Sequence, residues 1–359
     1  MPGTALARWS GEVPASPSGF GSAVPPALPP SSGATFYVAP DTGSDSNAGT
    51  TREAPWETLA HAASSVAPGD TVLLEPGTYP AGTSITVRGE PDAPITIAAD
   101  EGAVVTLPSL GLADSSYARV TRLVFDGALG ATAAVVSTGA ASHHIEISLD
   151  EIRGGPVGGI YVAGSDHRIV ANHVHHNGTK ARYGDGVQVL GLRTLVAGNA
   201  IHDNVGHGVL LYGGTSDAIG TVCTGNTVVA NAQSGISFGE RSSGNLAVND
   251  IVSLHMDAAL PGSGMGFGVA ETTGPGNAVR RSVDFDNIIP VTDAPPRVHV
   301  YDDVRFDDPM LRSPAAGDLR LMGTSPAVDQ GLDEWGVSPD ADGSSRPAGI
   351  IDLGAYELP

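Results

Sequence analysis

The sequence predicts an all-β solenoid, a right-handed parallel β-helix, on three observations. The first is a phrase that recurs with different words: Asp150-Glu-Ile152, Asn172-His-Val174, Asn199-Ala-Ile201, Asn226-Thr-Val228 and Asn249-Asp-Ile251, at steps of 22, 27, 27 and 23 residues. Such a period is one coil of a solenoid rather than the spacing of a globular domain. Each phrase is followed by a glycine and a hydrophobic residue: Gly159-Ile160, Gly186-Val187, Gly208-Val209, Gly235-Ile236 and Gly266-Phe267. The second observation is that each unit holds two short β-type runs, such as Thr194-Leu-Val-Ala197 and Gly208-Val-Leu-Leu-Tyr212, with no apolar stretch of helical period between them. The third is alternation. Val187, Val189, Val209, Leu211, Ile236 and Phe238 fall on one side of their runs and are expected inside, with Gln188, Leu210 and Ser237 outside.

In chain order, residues 1–33 are rich in Pro, Ser, Gly and Ala and read as a linker or an extended arm along the solenoid. A single β-helix domain is expected over 34–359, with an N-terminal cap at 34–92, coils at 93–303 and a closing segment at 304–359. The cap begins at Thr35-Phe-Tyr-Val38. Residues 56–66 read as a short amphipathic helix that covers the open apolar end of the stack, and residues 69–79 as a strand and turn. The recurring Asn reads as an internal ladder, because an amide can hydrogen-bond the equivalent amide one coil above and below.

Composition narrows the function. With 41% hydrophobic and 16% charged residues among 359, the chain suits one elongated domain with terminal additions, and its 48 glycines and 27 prolines suit a turn-rich solenoid. The net charge of −21 argues against a nucleic-acid or anionic-membrane partner, both of which need a basic face. No apolar run reaches the roughly 18 to 20 residues needed to span a membrane, and no signal peptide is visible at the start of the chain. Cys223 is alone, so there is neither a disulfide framework nor a thiolate metal cluster, and its apolar neighbours predict a small core residue.

Two stretches carry a family resemblance. Residues 36–50 (FYVAPDTGSDSNAGT), followed by Pro55-Trp-Glu-Thr-Leu59 and then residues 68–79 (PGDTVLLEPGTY), resemble the N-terminal cap of right-handed β-helix proteins of the pectate-lyase superfamily, in particular the family 9 polysaccharide lyases and their relatives. Residues 325–331 (SPAVDQG), 340–347 (DADGSSRP) and 351–357 (IDLGAYE) resemble the closing segment of the same proteins. The resemblance covers roughly residues 35–357. It implies secretion, a carbohydrate substrate along an outer face of the coils, and often calcium. The family holds calcium with aspartates that include an adjacent pair. Here such pairs, Asp302-Asp303 and Asp307-Asp308, fall late, and the family's catalytic residues are not carried across.

The residues themselves point to a patch in two consecutive coils. Five of the 11 histidines lie between His173 and His207. Alignment on the Asn column stacks His175 on His202 and His176 on Asp203, and sets Asp185 beside His207; coils about 4.8 Å apart let such pairs touch. Lys180, the single lysine, lies with Arg182 and Tyr183 in an insertion expected to project over the same groove. Cleavage of a uronic-acid polymer by β-elimination needs charge neutralisation at the C6 carboxylate, a base for the C5 proton and an acid for the leaving oxygen. Arg182 or a bound cation suits the first role, Lys180 or a histidine the second, and Tyr183 or a histidine the third. The expected catalytic set is therefore Lys180, Arg182, Tyr183, His176, His202 and Asp185, with His175, His207, Gln188, Tyr212, Glu240 and Arg241 contacting substrate and His255 and Asp257 extending the groove.

Two other chemistries compete for this patch. His173 and His175 share a strand face, and with His202 and Asp203 they form a set suited to zinc or another transition metal; Asp203 and Asp185 are the metal candidates. Calcium prefers oxygen ligands, for which the loops Asp41–Asp45 and Asp340–Asp342 have the right atoms. A glycoside hydrolase would need two carboxylates roughly 5 to 9.5 Å apart, and Asp185 with Asp203, or Glu240 as a third, is the best pair. The expectation is a secreted, monomeric polysaccharide lyase acting on an acidic polysaccharide. A hydrolase, a C5-epimerase or a non-catalytic carbohydrate-binding or adhesion module are the alternatives, because fold does not decide among them.

Overall fold

In the computed structural model, residues 25–179, 184–213, 217–255, 265–269, 273–287 and 300–358 are described. Among them the chain winds as a parallel β-helix with three sheets, of eleven, nine and eight strands, each built of strands that pair in parallel with their counterparts one coil away. One coil shows the pattern. Arg168–Val170 lies in the eleven-stranded sheet, His173–His175 in the nine-stranded sheet and Asp185–Val189 in the eight-stranded sheet. Leu195–Ala197 then returns to the first sheet, paired with Arg168–Val170.

Alternation sorts side chains as the sequence implies. Val187, Val189, Val209, Leu211, Ile236 and Phe238 are fully buried in one cluster that follows the stack from Val38 to Val279. Gln188 and Leu210 are partly exposed, whereas Ser237 is buried. Cys223 is a buried core residue.

In the central coils two turns are held by ladders. In the first, a residue with positive φ precedes the ladder residue: Leu149 before Asp150, Ala171 before Asn172, Gly198 before Asn199, Gly225 before Asn226 and Asn249 before Asp250. Each ladder oxygen accepts the backbone N–H of its counterpart one coil earlier, as Asn199 does from Asn172 (2.9 Å), Asn226 from Asn199 (3.0 Å) and Asp250 from Asn226 (2.8 Å). The sequence alignment put Asn249 in this column. The structure moves the column on by one residue, because Asn tolerates the left-handed bend that precedes it. Asn249 instead donates its amide to the Leu332 carbonyl. A second ladder, absent from the sequence reading, runs through Asn177, Asn204, Asn231 and His255. His255, expected in the groove, is thus a buried ladder residue.

The ends differ from expectation in detail. The helix is Leu59–Ser65, capped by the Thr58 hydroxyl, and Trp56 pairs with Val38 rather than opening the helix. The strands Thr35–Val38 and Thr71–Leu74 already belong to the eleven-stranded sheet, so the stack runs into the region assigned to the cap. Residues 25–33 lie along that sheet: the Pro25 carbonyl accepts from Arg168 and the Leu28 carbonyl from Arg119. The closing segment packs on the nine-stranded sheet, with Leu319 and Tyr356 against Ala200 and Val229, and Leu353 against Ile251 and Val283.

Candidate functional site

The nine-stranded sheet turns two columns of side chains outward. Its middle residues, Phe125, Ile152, Val174 and Ile201, are fully buried. On either side, parallel register stacks Val124, Glu151, His173 and Ala200 in one column and Asp126, Arg153, His175 and His202 in the other. The second column is an ion-pair chain that becomes an imidazole stack. Arg153 binds Asp126 (3.2 Å) and Glu151. The Glu151 carboxylate also meets His175 Nε2 (3.3 Å), and the His175 ring lies parallel to His202, with centroids 5.0 Å apart and planes 6° from parallel.

The turn after each strand adds the remaining groups. His176 and Asp203 occupy the positive-φ positions, 54° and 53°, that precede the ladder residues Asn177 and Asn204. The ladder fixes these bends, so it also fixes the places from which both side chains start. His176 Nδ1 lies 2.8 Å from His175 Nδ1, and His202 Nδ1 lies 2.7 Å from Asp203 Oδ2. His176, His202 and Asp203 each offer a ligand atom within 4.8 Å of the others. The group lines an open cavity of about 730 Å³ whose far wall is the C-terminal segment, Ala315–Gly317 with Ala341 and Asp342. Gly317 has φ +75°, and a Cβ there would stand 3.2 Å from His202 Cε1, so a glycine lets backbone lie against that ring. At the cavity edge the His173 ring reaches the Ala341 carbonyl (3.2 Å) and the Tyr356 hydroxyl (3.4 Å).

Charge follows from these contacts. The hydrogen bond from His175 holds the Glu151 carboxyl down to about 2, and the bond from His202 holds Asp203 below the usual carboxylate range. Burial, reinforced by neighbouring imidazoles, lowers His176 and His173, which favours their neutral forms. The site therefore offers the ionised carboxylates of Glu151 and Asp203 beside the neutral rings of His176 and His173, a set suited to proton transfer or to a divalent transition-metal cation.

Of the residues expected from sequence, His175, His176, His202 and Asp203 come together here. Lys180, Arg182, Tyr183 and Asp257 lie outside the described residues. Asp185, Gln188, His207 and Tyr212 do not line this cavity; they belong to the eight-stranded sheet and its edges. Asp185 accepts the His207 N–H (2.8 Å) and burial pushes it up to about 7, so it pairs with backbone rather than with Asp203. Burial takes His207 down to about 4. Glu240 is exposed, and Arg241 pairs with Asp217 (2.6 Å). In the loops considered for calcium, carboxylates accept from backbone amides. The Asp45 carboxylate accepts from the Glu57 and Thr58 amides, and Asp340 accepts from the Asp342, Ser344 and Glu357 amides. Glu151 and Arg153, missed by the sequence reading, were detectable only by extending the histidine columns one coil back.

Comparison with known proteins agrees with this architecture. The family described as right handed beta helix region matches residues 110–282. A lacto-N-biosidase of Bifidobacterium longum is 42% identical over 97 residues, which is 24% of this chain and 6% of that protein. An uncharacterized Bacillus subtilis protein, YwoF, is 31% identical over 155 residues, 43% of this chain and 31% of that protein. The chain thus covers less than a third of either curated relative. The solved structure of the pectate lyase Pel9A superposes with a TM-score of 0.68 at 15% identity, over 92% of this chain and 98% of that one. Among the described residues, no helix is long and apolar enough to cross a membrane. With the coil geometry and these likenesses together, the chain is a right-handed parallel β-helix with the pectate-lyase-like fold.

Proposed function

We propose that this protein is a secreted, monomeric carbohydrate-active enzyme, and specifically a polysaccharide lyase that cleaves a uronic-acid-containing polymer by β-elimination in the histidine cavity. The observation that carries the reading is the gathering of His175, His176, His202 and Asp203 on one outer face, open to solvent and walled on one side. In the elimination a base removes the C5 proton, electrons move to form the C4–C5 double bond, and the C4–O bond breaks as the leaving oxygen gains a proton. His175 is suited to be the base: the Glu151 carboxylate at its Nε2 keeps the proton there and leaves Nδ1 as the electron-pair donor. Tyr183 or Lys180, which follow His175 closely in sequence, are assigned to protonate the leaving oxygen. The C6 carboxylate needs a compensating positive charge, because the intermediate carries added negative charge next to it. Arg153 is already paired with Glu151 and Asp126, which leaves Arg182 or a bound cation for that role.

A glycoside hydrolase is the second reading, favoured by the match to a lacto-N-biosidase and by two carboxylates, Glu151 and Asp203, on the same cavity. Incubation with pectate, alginate, glucuronan and glycosaminoglycans, followed at about 235 nm, where the C4–C5 double bond of an eliminated product absorbs, separates the two. Rising absorbance with one polymer supports elimination. Reducing-end release without absorbance rejects elimination and supports the hydrolase.

A further inference from the structure

We propose that His176, His202 and Asp203 hold a divalent transition-metal ion, of the zinc class rather than calcium. As the positive charge facing the uronate carboxylate, this ion rests on the lyase reading; as a binding site, it stands without it.

The argument begins with the backbone. His176 and Asp203 sit at the same bend in adjacent coils, and His202 is the strand residue just before Asp203. Coil pitch alone therefore brings two imidazoles and a carboxylate within 4.8 Å of one another, without any loop having to close. Two nitrogens and one oxygen are the donors that zinc and its transition-metal neighbours take, whereas calcium takes six to eight oxygens.

The proton positions agree. His175 and His176 face each other through Nδ1 at 2.8 Å. Glu151 accepts at His175 Nε2, so the His175 Nδ1 that faces His176 carries a lone pair. An oriented imidazole backed by a carboxylate is the arrangement that surrounds metal ligands, and it makes His175 the group that fixes the His176 ring. His202 Nδ1 and Asp203 Oδ2 lie 2.7 Å apart, so an ion bound between them would take the place of the hydrogen of that bond, the proton moving to His202 Nε2 or, from an imidazolium, to solvent. The cavity stays open beside them, so a coordination position remains for a substrate oxygen.

The test is calorimetric titration of tag-free, chelator-treated protein with zinc, cobalt(II) and calcium chlorides, with visible absorption recorded for cobalt. The expected result is one equivalent of zinc or cobalt, d–d bands for cobalt, and much weaker calcium binding. His176→Ala, at an exposed position, is expected to weaken zinc by about 100-fold or more, and Glu151→Gln by about 10-fold. Melting curves of both variants are compared with the parent, and Asp203→Asn serves as a second ligand variant if either fails to fold. No binding of zinc or cobalt, or binding unchanged in His176→Ala and Asp203→Asn, overturns the proposal. The absorbance assay on the same stripped and loaded samples separates the two ideas: binding without elimination rejects the lyase and keeps the metal site, and elimination without binding does the reverse.

Discussion

Two columns of side chains climb the same turns of this solenoid, a few residues apart, and they use repetition in opposite ways. The buried column keeps one kind of group from coil to coil: Asn172, Asn199 and Asn226, with Asp150 and Asp250 at its ends. The outward column varies along the stack, from Asp126 to Arg153, then to the two histidines His175 and His202, and then to Val229. Identical groups inside fix the pitch and register. Different groups outside, delivered by that register, make an acid–base cluster from residues about one coil apart. Structure and chemistry are thus written at separate positions of one repeat.

Mutations in the two columns should separate cleanly. The largest effect is expected from His175→Ala, which removes the proposed base on a partly exposed ring and should lower kcat/KM by roughly 10²- to 10⁴-fold at a smaller cost in unfolding free energy than a buried ladder residue, measured by absorbance kinetics beside denaturant titration. Asn199→Ala should do the opposite. It strands buried donors on Asn172 and the Ile169 carbonyl, costing about 3 kcal/mol of stability while leaving turnover per folded molecule unchanged. Equal loss of stability in both variants would break the division.

The ladder end gives a pH-dependent version. Burial pushes the Asp250 carboxyl up to about 7 from an ordinary value of 3.8, and one of its oxygens is unpartnered. Its contribution to stability is therefore complete at low pH, where both folded and unfolded chains hold the proton. It is lost as pH rises toward 7, because the unfolded chain ionises first. Asp250→Asn retains an acceptor for Asn226 without the charge. Thermal melts should put the variant on the order of 2 kcal/mol above the parent at pH 8 and near it at pH 4. A gain that is the same at both values would rule out titration as the cause. The smallest effect is expected from Gly317→Ala. It places a methyl against His202 at a left-handed position, costing about 1 kcal/mol and a few-fold in KM.

Much of this was legible in the sequence, for reasons that also explain the rest. Coil period and alternation fixed the inward set Val187 to Phe238, and alignment on Asn stacked His175 on His202, because ladder and strand advance by the same number of residues. Alignment failed where two residues fit one pattern: Asn249 and Asp250 both suit the column, and only the preceding bend distinguishes them. Glu151 and Arg153 read as ordinary solvated charges until the register put them beneath the histidines. The C-terminal wall was invisible because Ala341 meets His173 across 168 residues. Asp185 and Gln188 were drawn into the same groove because they share coils with the histidines, yet a coil turns through three sheets and its neighbours in sequence face different directions.

Consider the 27-residue step between Asn172, Asn199 and Asn226. Because each coil fastens to the next through the same amides, a coil behaves as a cassette whose joints do not depend on what its outer face displays. Moving, duplicating or exchanging one such cassette would slide a new row of letters into the cavity beneath an unchanged frame. A solenoid of this kind can change what it recognises by editing single outward positions, and it can do so without reopening the question of how it folds.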